Sequence, residues 1–192
     1  MTIVRNIPVV IAYLLIGLSQ VSFAEDPAMA PSSKAVEAIR LLQSADPYQR
    51  QLGFLRLEAL REPATLSTIQ GYLNHRDPDL RAYSVRALAA VEGVNAAPVL
   101  LEKLQTDRAP RVRRAALLGL EVFQKTQPEL LPAFIKALRD HDMTVRMTAA
   151  DVVSRVDDPT ARAAIKLRYR REYRKDVRRV LEAAMKRMGL KS

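Results

Sequence analysis

One pattern of apolar and polar positions returns five times along the chain, each time around an arginine. The arginine falls at residues 50, 81, 113, 146 and 178, so that successive steps are 31, 32, 33 and 32 residues. In most units, apolar residues stand at offsets −1, +3 or +4, +7 and +10 from it, positions that share one side of an α-helix. A nearly constant period over five units predicts an array of helical repeats.

A second helical pattern precedes each of these segments, in "VEAIRLL", "LSTIQGYL", "APVLLEKL", "LLPAFIKAL" and "ARAAIKLRY". Acid-proline pairs such as Asp46-Pro47, Asp77-Pro78 and Asp158-Pro159 are typical of helix starts. Pro132 does not fit such a start, and we expect it to kink a helix or to shift its beginning. The sequence therefore predicts an all-α fold, an α-solenoid of about five helical hairpins over residues 34–192, because stacking buries stripes that a single hairpin leaves exposed.

The N-terminal residues differ from the repeats and predict a signal peptide over residues 1–24. Arg5 precedes an apolar run from Ile7 to Leu18, and Ser22 and Ala24 occupy the small-residue positions of a cleavage site. Residues 25–33 are expected to form a linker. The chain has no Cys and no Asn-x-Ser/Thr site, which favours a periplasmic location. The alternative is an anchor formed by an uncleaved N-terminal segment.

The repeated residues resemble the HEAT family. Asp77-x-x-Leu80-Arg81, and "DMTVRMTAA" at 142–150, are similar to the short HEAT-like repeats also found in bilin lyases. The resemblance implies that the second helices line a concave face and that Asp and Arg form a structural ladder between units. The third unit has Ala109 and the fifth Arg174 in the Asp position, so that the ladder is expected to be interrupted, with Asp107 as a substitute. The implied ladder residues are Asp46, Arg50, Asp77, Arg81, Arg113, Asp142, Arg146 and Arg178.

Residues that could carry chemistry are few. Without Cys there is no thiol nucleophile, and no Gly-x-Ser-x-Gly sequence or glycine-rich phosphate loop is present. His75 and His141 lie 66 residues apart, two repeat units, which is too far for one metal ion. The sequence therefore predicts a protein that is not an enzyme and that has no cofactor and no metal. On the same residues, bilin attachment finds no support.

Positive charge is concentrated in the last repeat. Residues 25–161 carry 18 basic and 18 acidic residues, whereas residues 162–192 carry 12 basic and 3 acidic ones, a net charge of +9. Arginine forks and tyrosine rings can hold a phosphate or carboxylate. A polar cap that keeps the last repeat in water is the alternative. The hypothetical anion-binding residues are Arg168, Tyr169, Arg170, Arg171, Tyr173, Arg174, Lys175, Arg178 and Arg179.

Taken together, these patterns predict an exported interaction scaffold that binds a protein partner through its concave face. The alternative is an anion binder acting through the basic last repeat, on lipopolysaccharide or anionic lipid, with nucleic acid less expected outside the cytoplasm. The sequence leaves the choice between them open. The hypothetical protein-binding residues are Leu52, Leu55, Tyr83, Arg86, Ala115, Leu118, Thr148 and Asp151.

Cleavage of the signal peptide is directly testable. We expect the native protein to begin near Glu25 and to be found outside the cytoplasm, because the charged, apolar and small-residue regions end at Ala24. Intact-mass measurement of the protein from fractionated cells checks this. A soluble cytoplasmic protein that retains residues 1–24 would contradict it.

Overall fold

Ten α-helices in five consecutive pairs make up residues 30–191, the part of the chain described by the structure, which is a computed structural model. The predicted α-solenoid of HEAT-like hairpins is confirmed. The predicted signal peptide and residues 25–29 of the predicted linker lie outside the described residues. The helices are α1 (Ser33–Leu42), α2 (Pro47–Leu60), α3 (Leu66–Gly71), α4 (Pro78–Glu92), α5 (Ala97–Thr106), α6 (Pro110–Glu121), α7 (Leu131–Ala137), α8 (Met143–Val153), α9 (Pro159–Arg171) and α10 (Lys175–Arg187).

Helix starts follow the acid-proline signals. The carboxylates of Asp46, Asp77 and Asp158 each accept a hydrogen bond from the backbone N–H two residues on, and proline occupies the first turn of α2, α4 and α9. Pro132 lies in the first turn of α7, which begins at Leu131 after a 3-10 turn. Of the two outcomes expected for this proline, the structure therefore shows the shifted start.

The second helices of the pairs, α2, α4, α6, α8 and α10, pack directly against one another along the array. The first helices make few contacts among themselves. In four of the five pairs a small residue, three positions after the repeated arginine, allows the two helices to approach closely. A Cβ on Gly53 would lie 2.7 Å from the Ala38 carbonyl oxygen in α1, so that only glycine allows this approach. In the next pair the Ser84 hydroxyl donates to the Ile69 carbonyl at 2.6 Å.

One stretch, residues 78–106, is long and apolar enough to resemble a membrane-spanning segment, with a mean hydropathy of 1.3 over its best window. In the structure it consists of α4 and α5, joined by the 3-10 turn Gly93–Ala96. Val85, Leu88 and Leu100 within it are fully buried among neighbouring helices. Its hydropathy is therefore accounted for by the core of the repeat array.

The repeated arginine of every unit closes the turn that precedes its own helix. In all five units its Nη1 donates to two backbone carbonyls, at distances of 2.8–3.4 Å. In units one to four both carbonyls lie in the turn between the paired helices, and in the fifth unit they belong to Glu172 and to Tyr169 in the last turn of α9. Carbonyls beyond a helix end lack an intrahelical partner, and the arginine supplies one. The arginine thus fixes the angle between the two helices of a unit.

The other side of the same guanidinium pairs with an acid in the next unit. Arg81 donates through Nε and Nη2 to Asp107, both at 2.8 Å, and Arg113 donates likewise to Asp140 at 2.8 and 2.6 Å. Arg146 donates to Glu172 at 3.0 and 3.5 Å. These hydrogen bonds raise the pKa of Arg81 and Arg113. A continuous arginine ladder therefore joins units two to five.

The ladder acids differ from those implied by the resemblance. Asp46, Asp77 and Asp142 cap their helices, because their carboxylates are held by backbone N–H groups of the first turn. Asp77 also lies 3.9 Å from Arg50, a long ion pair. The closer partner of each arginine is an acid of the following unit, which stands six residues before that unit's own arginine. These acids are Asp107, Asp140 and Glu172. Asp107 had been expected only as a substitute, and the ladder is not interrupted in the third unit.

Glu172 is the most buried of these acids, with a side chain that is 0% exposed. Burial alone would raise the pKa of its carboxyl group. Hydrogen bonds from Arg168, from the Arg174 N–H and from Arg146 outweigh burial and lower this pKa to about 2. Glu172 therefore stays ionised and keeps its hydrogen bonds in any mildly acidic or neutral medium.

The second unit carries His75 where the later units carry a ladder acid. His75 Nδ1 accepts the Asp77 N–H at 3.0 Å, as the Asp107 and Asp140 carboxylates accept theirs at 2.9 and 2.8 Å. Because the side chain of His75 is an imidazole, it provides no carboxylate to pair with Arg50, the repeated arginine of the first unit. Accordingly, Arg50 Nε is buried without a hydrogen-bond partner among the described residues.

His75→Asp is expected to complete the ladder and to raise the free energy of unfolding by about 1–2 kcal/mol, because a buried donor gains a charged acceptor. The fourth unit already places Asp140 two residues before a capping aspartate, so that two acids are tolerated there. Urea unfolding of the purified protein measures the change.

Ser44→Asp is the matched control, since Ser44 also lies six residues before its ladder arginine and accepts the Asp46 N–H at 3.1 Å. No earlier repeat arginine faces it within residues 30–191. An equal gain from both substitutions would show that helix capping, and not the ladder, is responsible.

Candidate protein-binding face

The outward side chains of the second helices form one surface, which we call the second-helix face. It repeats with the same period as the ladder, because positions −2, +2, +5 and +9 from each arginine lie on the side of the helix opposite to the core stripe. Its members are Tyr48, Leu52, Leu55 and Ala59 of α2, Asp79, Tyr83, Arg86 and Ala90 of α4, Arg111, Ala115 and Leu118 of α6 with Val122 just after it, Thr144, Thr148 and Asp151 of α8 with Arg155 two residues beyond it, and Asp176, Val180, Ala183 and Arg187 of α10.

Over α2, α4 and α6 this face is largely apolar. Leu52, Leu55 and Leu118 are 38–40% exposed, and Val122 and Tyr48 are 76% and 80% exposed. Large apolar side chains at this exposure are gathered here and are scattered elsewhere in the described chain. Those on this face lie on α2 and at the end of α6, on either side of α4. Exposed apolar side chains that are grouped on one face mark an interaction surface more often than an isolated exposed leucine does.

A groove of about 310 Å³ runs across this apolar half. Small residues line it, namely Ala89, Ala90, Gly93 and Gly119, together with Leu118, Val122 and Phe123. Arg86 and Glu58 also line it, and Arg86 Nη2 donates to both Glu58 carboxylate oxygens at 2.9 and 3.1 Å. The groove can therefore receive an apolar side chain beside a polar pair.

Tyr83 lies at the centre of the same half. Its ring is partly buried, with its centroid 6.0 Å from that of Phe54. Burial raises the pKa of its phenol, and the neighbouring Asp79 raises it further. Tyr83 is therefore a neutral hydrogen-bonding group on an otherwise apolar surface.

Over α8 and α10 the second-helix face is polar and internally paired. Arg155 bonds to Asp151 at 2.5 Å and to Glu121 at 3.0 Å, and Arg187 bonds to Asp151 at 2.9 Å. Thr148 donates its hydroxyl to the Thr144 carbonyl at 2.9 Å. These side chains are already paired with one another. The polar half therefore has fewer free hydrogen-bonding groups and less apolar area for contact with a protein partner than the apolar half has.

The eight hypothetical protein-binding residues thus have different surroundings. Leu52, Leu55, Tyr83, Arg86 and Leu118 lie in the apolar half, and Thr148 and Asp151 lie in the polar half. Ala115 is only 6% exposed and offers little surface, because neighbouring side chains cover its short methyl group. Val122 is more exposed than any of the predicted apolar residues and was missed, although its offset of +9 repeats as regularly as theirs.

The hypothetical anion-binding residues are also divided. Arg168 is bound to Glu172, and Arg178 stacks over the Tyr169 ring with its guanidinium carbon 4.4 Å from the ring centroid. Tyr169 donates its hydroxyl to Glu182 at 3.1 Å. These three residues hold the last repeat together. The remaining residues are exposed, namely Arg170, Arg171, Tyr173, Arg174, Lys175 and Arg179.

Within residues 30–191, no cluster of three or more His, Asp or Glu side chains could hold a metal ion. His75 caps a turn through Nδ1, and the His141 backbone carbonyl accepts from Arg146 at 3.0 Å. Both histidines thus stand beside the arginine ladder.

Comparison with known proteins identifies the family. HEAT repeats match residues 36–121 and 97–186, which together span most of the chain. The protein therefore belongs to the HEAT-repeat family.

Among curated proteins, the chain is 34% identical over 107 residues to phycocyanobilin lyase subunit beta of Nostoc sp. PCC 7120. The match covers 56% of this chain and 50% of the relative, so that it spans about half of the curated protein's length.

Two solved structures share the fold. A chain from the complex of CpcE and CpcF of phycocyanin lyase from Nostoc sp. PCC7120 matches with a TM-score of 0.65 and 23% identity, over 79% of this chain and 97% of that one. An engineered protein matches with a TM-score of 0.50 and 16% identity, over 84% and 85% of the two chains. At these identities the likeness shows the fold alone.

The curated relative corrects one prediction from the sequence. The prediction that the protein is not an enzyme is wrong in the light of this relative, which is a subunit of a lyase. The sequence argument searched a single chain for a complete catalytic set. One subunit of an assembly need not hold such a set, because its partners can supply the reacting groups.

Proposed function

We propose that this protein binds a protein partner on the apolar half of its second-helix face and acts on it as one subunit of a lyase-type assembly. The observation that carries the proposal is the exposed apolar surface of α2, α4 and α6 with its groove. The likeness to a phycocyanobilin lyase subunit supports the class of activity.

The apolar half has the features of an interface centre. Leu118 and Val122 offer apolar area beside small residues, where a partner's large side chain can be desolvated. The Arg86–Glu58 pair in the groove supplies polar contacts that fix orientation. Rigid helices hold these side chains in place, so that little conformational entropy is lost on binding.

The proposed reaction divides its chemistry between proteins. This chain has no Cys, so that any thiol in a lyase-type attachment has to come from the partner. The groove of about 310 Å³ lies at the lower end of the size range of small-molecule sites, and an apolar side chain fills it better than a large pigment does. We therefore assign partner binding to this face and place the pigment at the junction with the partner.

We further propose that the protein works outside the cytoplasm, in the periplasm after cleavage or anchored by an uncleaved N-terminal segment. The support is the pattern of residues 1–24, and the proposed division is a linker at 25–33 followed by the repeat array. Anionic lipid, lipopolysaccharide and nucleic acid remain predictions that rest on the charge of the last repeat alone.

The binding face can be tested by cross-linking. A photoreactive residue at position 118 is expected to capture a discrete protein in the native cell, whereas one at exposed Gln105 of α5 is not. Leu118→Asp with Val122→Asp should weaken binding of the captured protein by about 100-fold, because two charges would be buried without partners. Gln105→Asp with Ala163→Asp is the matched control on the first helices.

The reaction is tested separately, by mixing this chain, the captured partner and phycocyanobilin. A covalent gain in the partner's mass that depends on this chain supports the lyase role. Equal capture at positions 118 and 105 would contradict the binding face, and partner binding without any mass gain would contradict the lyase role.

A further inference from the structure

A cavity of about 170 Å³ lies on the other layer of the array, between the first helices α7 and α9. Four apolar side chains form its floor and sides, namely Ile135, Leu138, Ala164 and Leu167. Of the two helices, α7 has seven residues and α9 has thirteen. It is separate from the groove between α4 and α6.

Three guanidinium groups line this cavity, those of Arg139, Arg168 and Arg171. Arg168 binds Glu172 through Nε and Nη2, which leaves its Nη1 without a hydrogen bond to any described residue. Arg139 and Arg171 are exposed and form no ion pair within residues 30–191. Three cations therefore share one cavity, and none of its lining residues carries a carboxylate.

The acids close to the cavity are already committed to the ladder. Asp140 binds Arg113 at 2.6 and 2.8 Å, and Glu172 binds Arg146 as well as Arg168. Neither can neutralise Arg139 or Arg171 without breaking a buried ion pair. The positive charge at the cavity mouth is thus uncompensated by the described chain.

The dipoles of helices explain why basic residues gather at helix C-termini, and all three arginines lie at the ends of α7 and α9. A dipole does not explain why three of them line one cavity together with four apolar side chains, because arginines facing water satisfy it equally well. An anion with an apolar group attached accounts for both features, since guanidinium forks bind the anion and the floor binds the apolar group.

We propose that this cavity, which we call the arginine pocket, binds a carboxylate or phosphate attached to a short apolar chain. Small-molecule sites commonly measure about 300–1,000 Å³, so the arginine pocket takes a small ligand or the end of a larger one. The sequence had placed anion binding on the basic stretch from Arg168 to Arg179 as a whole. The arginine pocket uses two residues of that stretch and adds Arg139, which lies 29 positions before the first of them.

Calorimetric titration with hexyl phosphate and hexanoate tests the proposal. Both are expected to bind, whereas inorganic phosphate and acetate should bind at least about 10-fold more weakly because they lack the apolar group. Hexanol, which lacks the charge, should not bind measurably. Equal affinity for acetate and hexanoate would overturn the role of the apolar floor.

A charge-matched pair of variants shows whether the binding is local. Arg139→Gln with Arg171→Gln should weaken hexyl phosphate binding by about 10-fold or more, because charged hydrogen bonds are lost. Arg170→Gln with Arg174→Gln removes the same charge from neighbouring exposed positions and should change binding less than about 2-fold, since surface charges act weakly. Equal losses in the two variants would overturn the arginine pocket in favour of diffuse attraction.

Three further measurements test the conclusion. Both variants leave the Arg168–Glu172 pair in place, so equal thermal midpoints are expected. Ala164→Phe should block the cavity, and with it the binding of hexyl phosphate, without changing any charge.

Phosphatidic acid vesicles distinguish the sources of the anion. Binding to vesicles that depends on Arg139 and Arg171 identifies a lipid headgroup, and binding of soluble hexyl phosphate alone identifies a small free ligand. Vesicle and hexyl phosphate binding that both survive Arg139→Gln with Arg171→Gln would overturn the proposal.

Discussion

A partly buried arginine that binds groups on two sides sets the architecture of this protein. One edge of each repeated guanidinium closes the turn of its own unit by binding two backbone carbonyls, and in units two to four the other edge binds a carboxylate of the next unit. Both kinds of bond are needed because a buried guanidinium without partners is costly. This pairing requires a nearly constant number of residues per unit, because each arginine can reach its acid only when the turn of the next unit lies at a fixed distance along the chain.

The repeat period identifies this arginine from the sequence, but the acids predicted to pair with it are not the ones that bind it most closely in the structure. The period and the core stripe depend on residues within one helix, so they can be read along the chain. The pairing crosses between units, and Asp46, Asp77 and Asp142 stand closer in sequence to their arginines than the true ladder acids do. The acids at −6 in units three to five, Asp107, Asp140 and Glu172, recur as regularly as the arginines, and that regularity was the available signal.

The surfaces were harder to predict for a related reason. Offsets identify which positions point outward, but exposure depends on neighbouring units. Ala115 of α6 is covered and Val122, directly after α6, is open, although their offsets from Arg113 place both on the outward side. Likewise the basic last repeat reads as one charged stretch, whereas the structure uses Arg168 and Arg178 internally and turns Arg171 toward a cavity shared with α7. Stacking of units decides which residues remain available for a partner.

The central claim is that coupling between units comes from these arginine–acid pairs. A double-mutant cycle with Arg113→Ala and Asp140→Asn measures it, because asparagine still accepts the Asp142 N–H. A coupling free energy of about 1.5–3 kcal/mol is predicted for this partly buried, doubly hydrogen-bonded pair. The same cycle with Arg50→Ala and Asp77→Asn, whose charges lie 3.9 Å apart, should give about 0.5 kcal/mol or less. Equal coupling in the two cycles, or none between Arg113 and Asp140, would contradict the account.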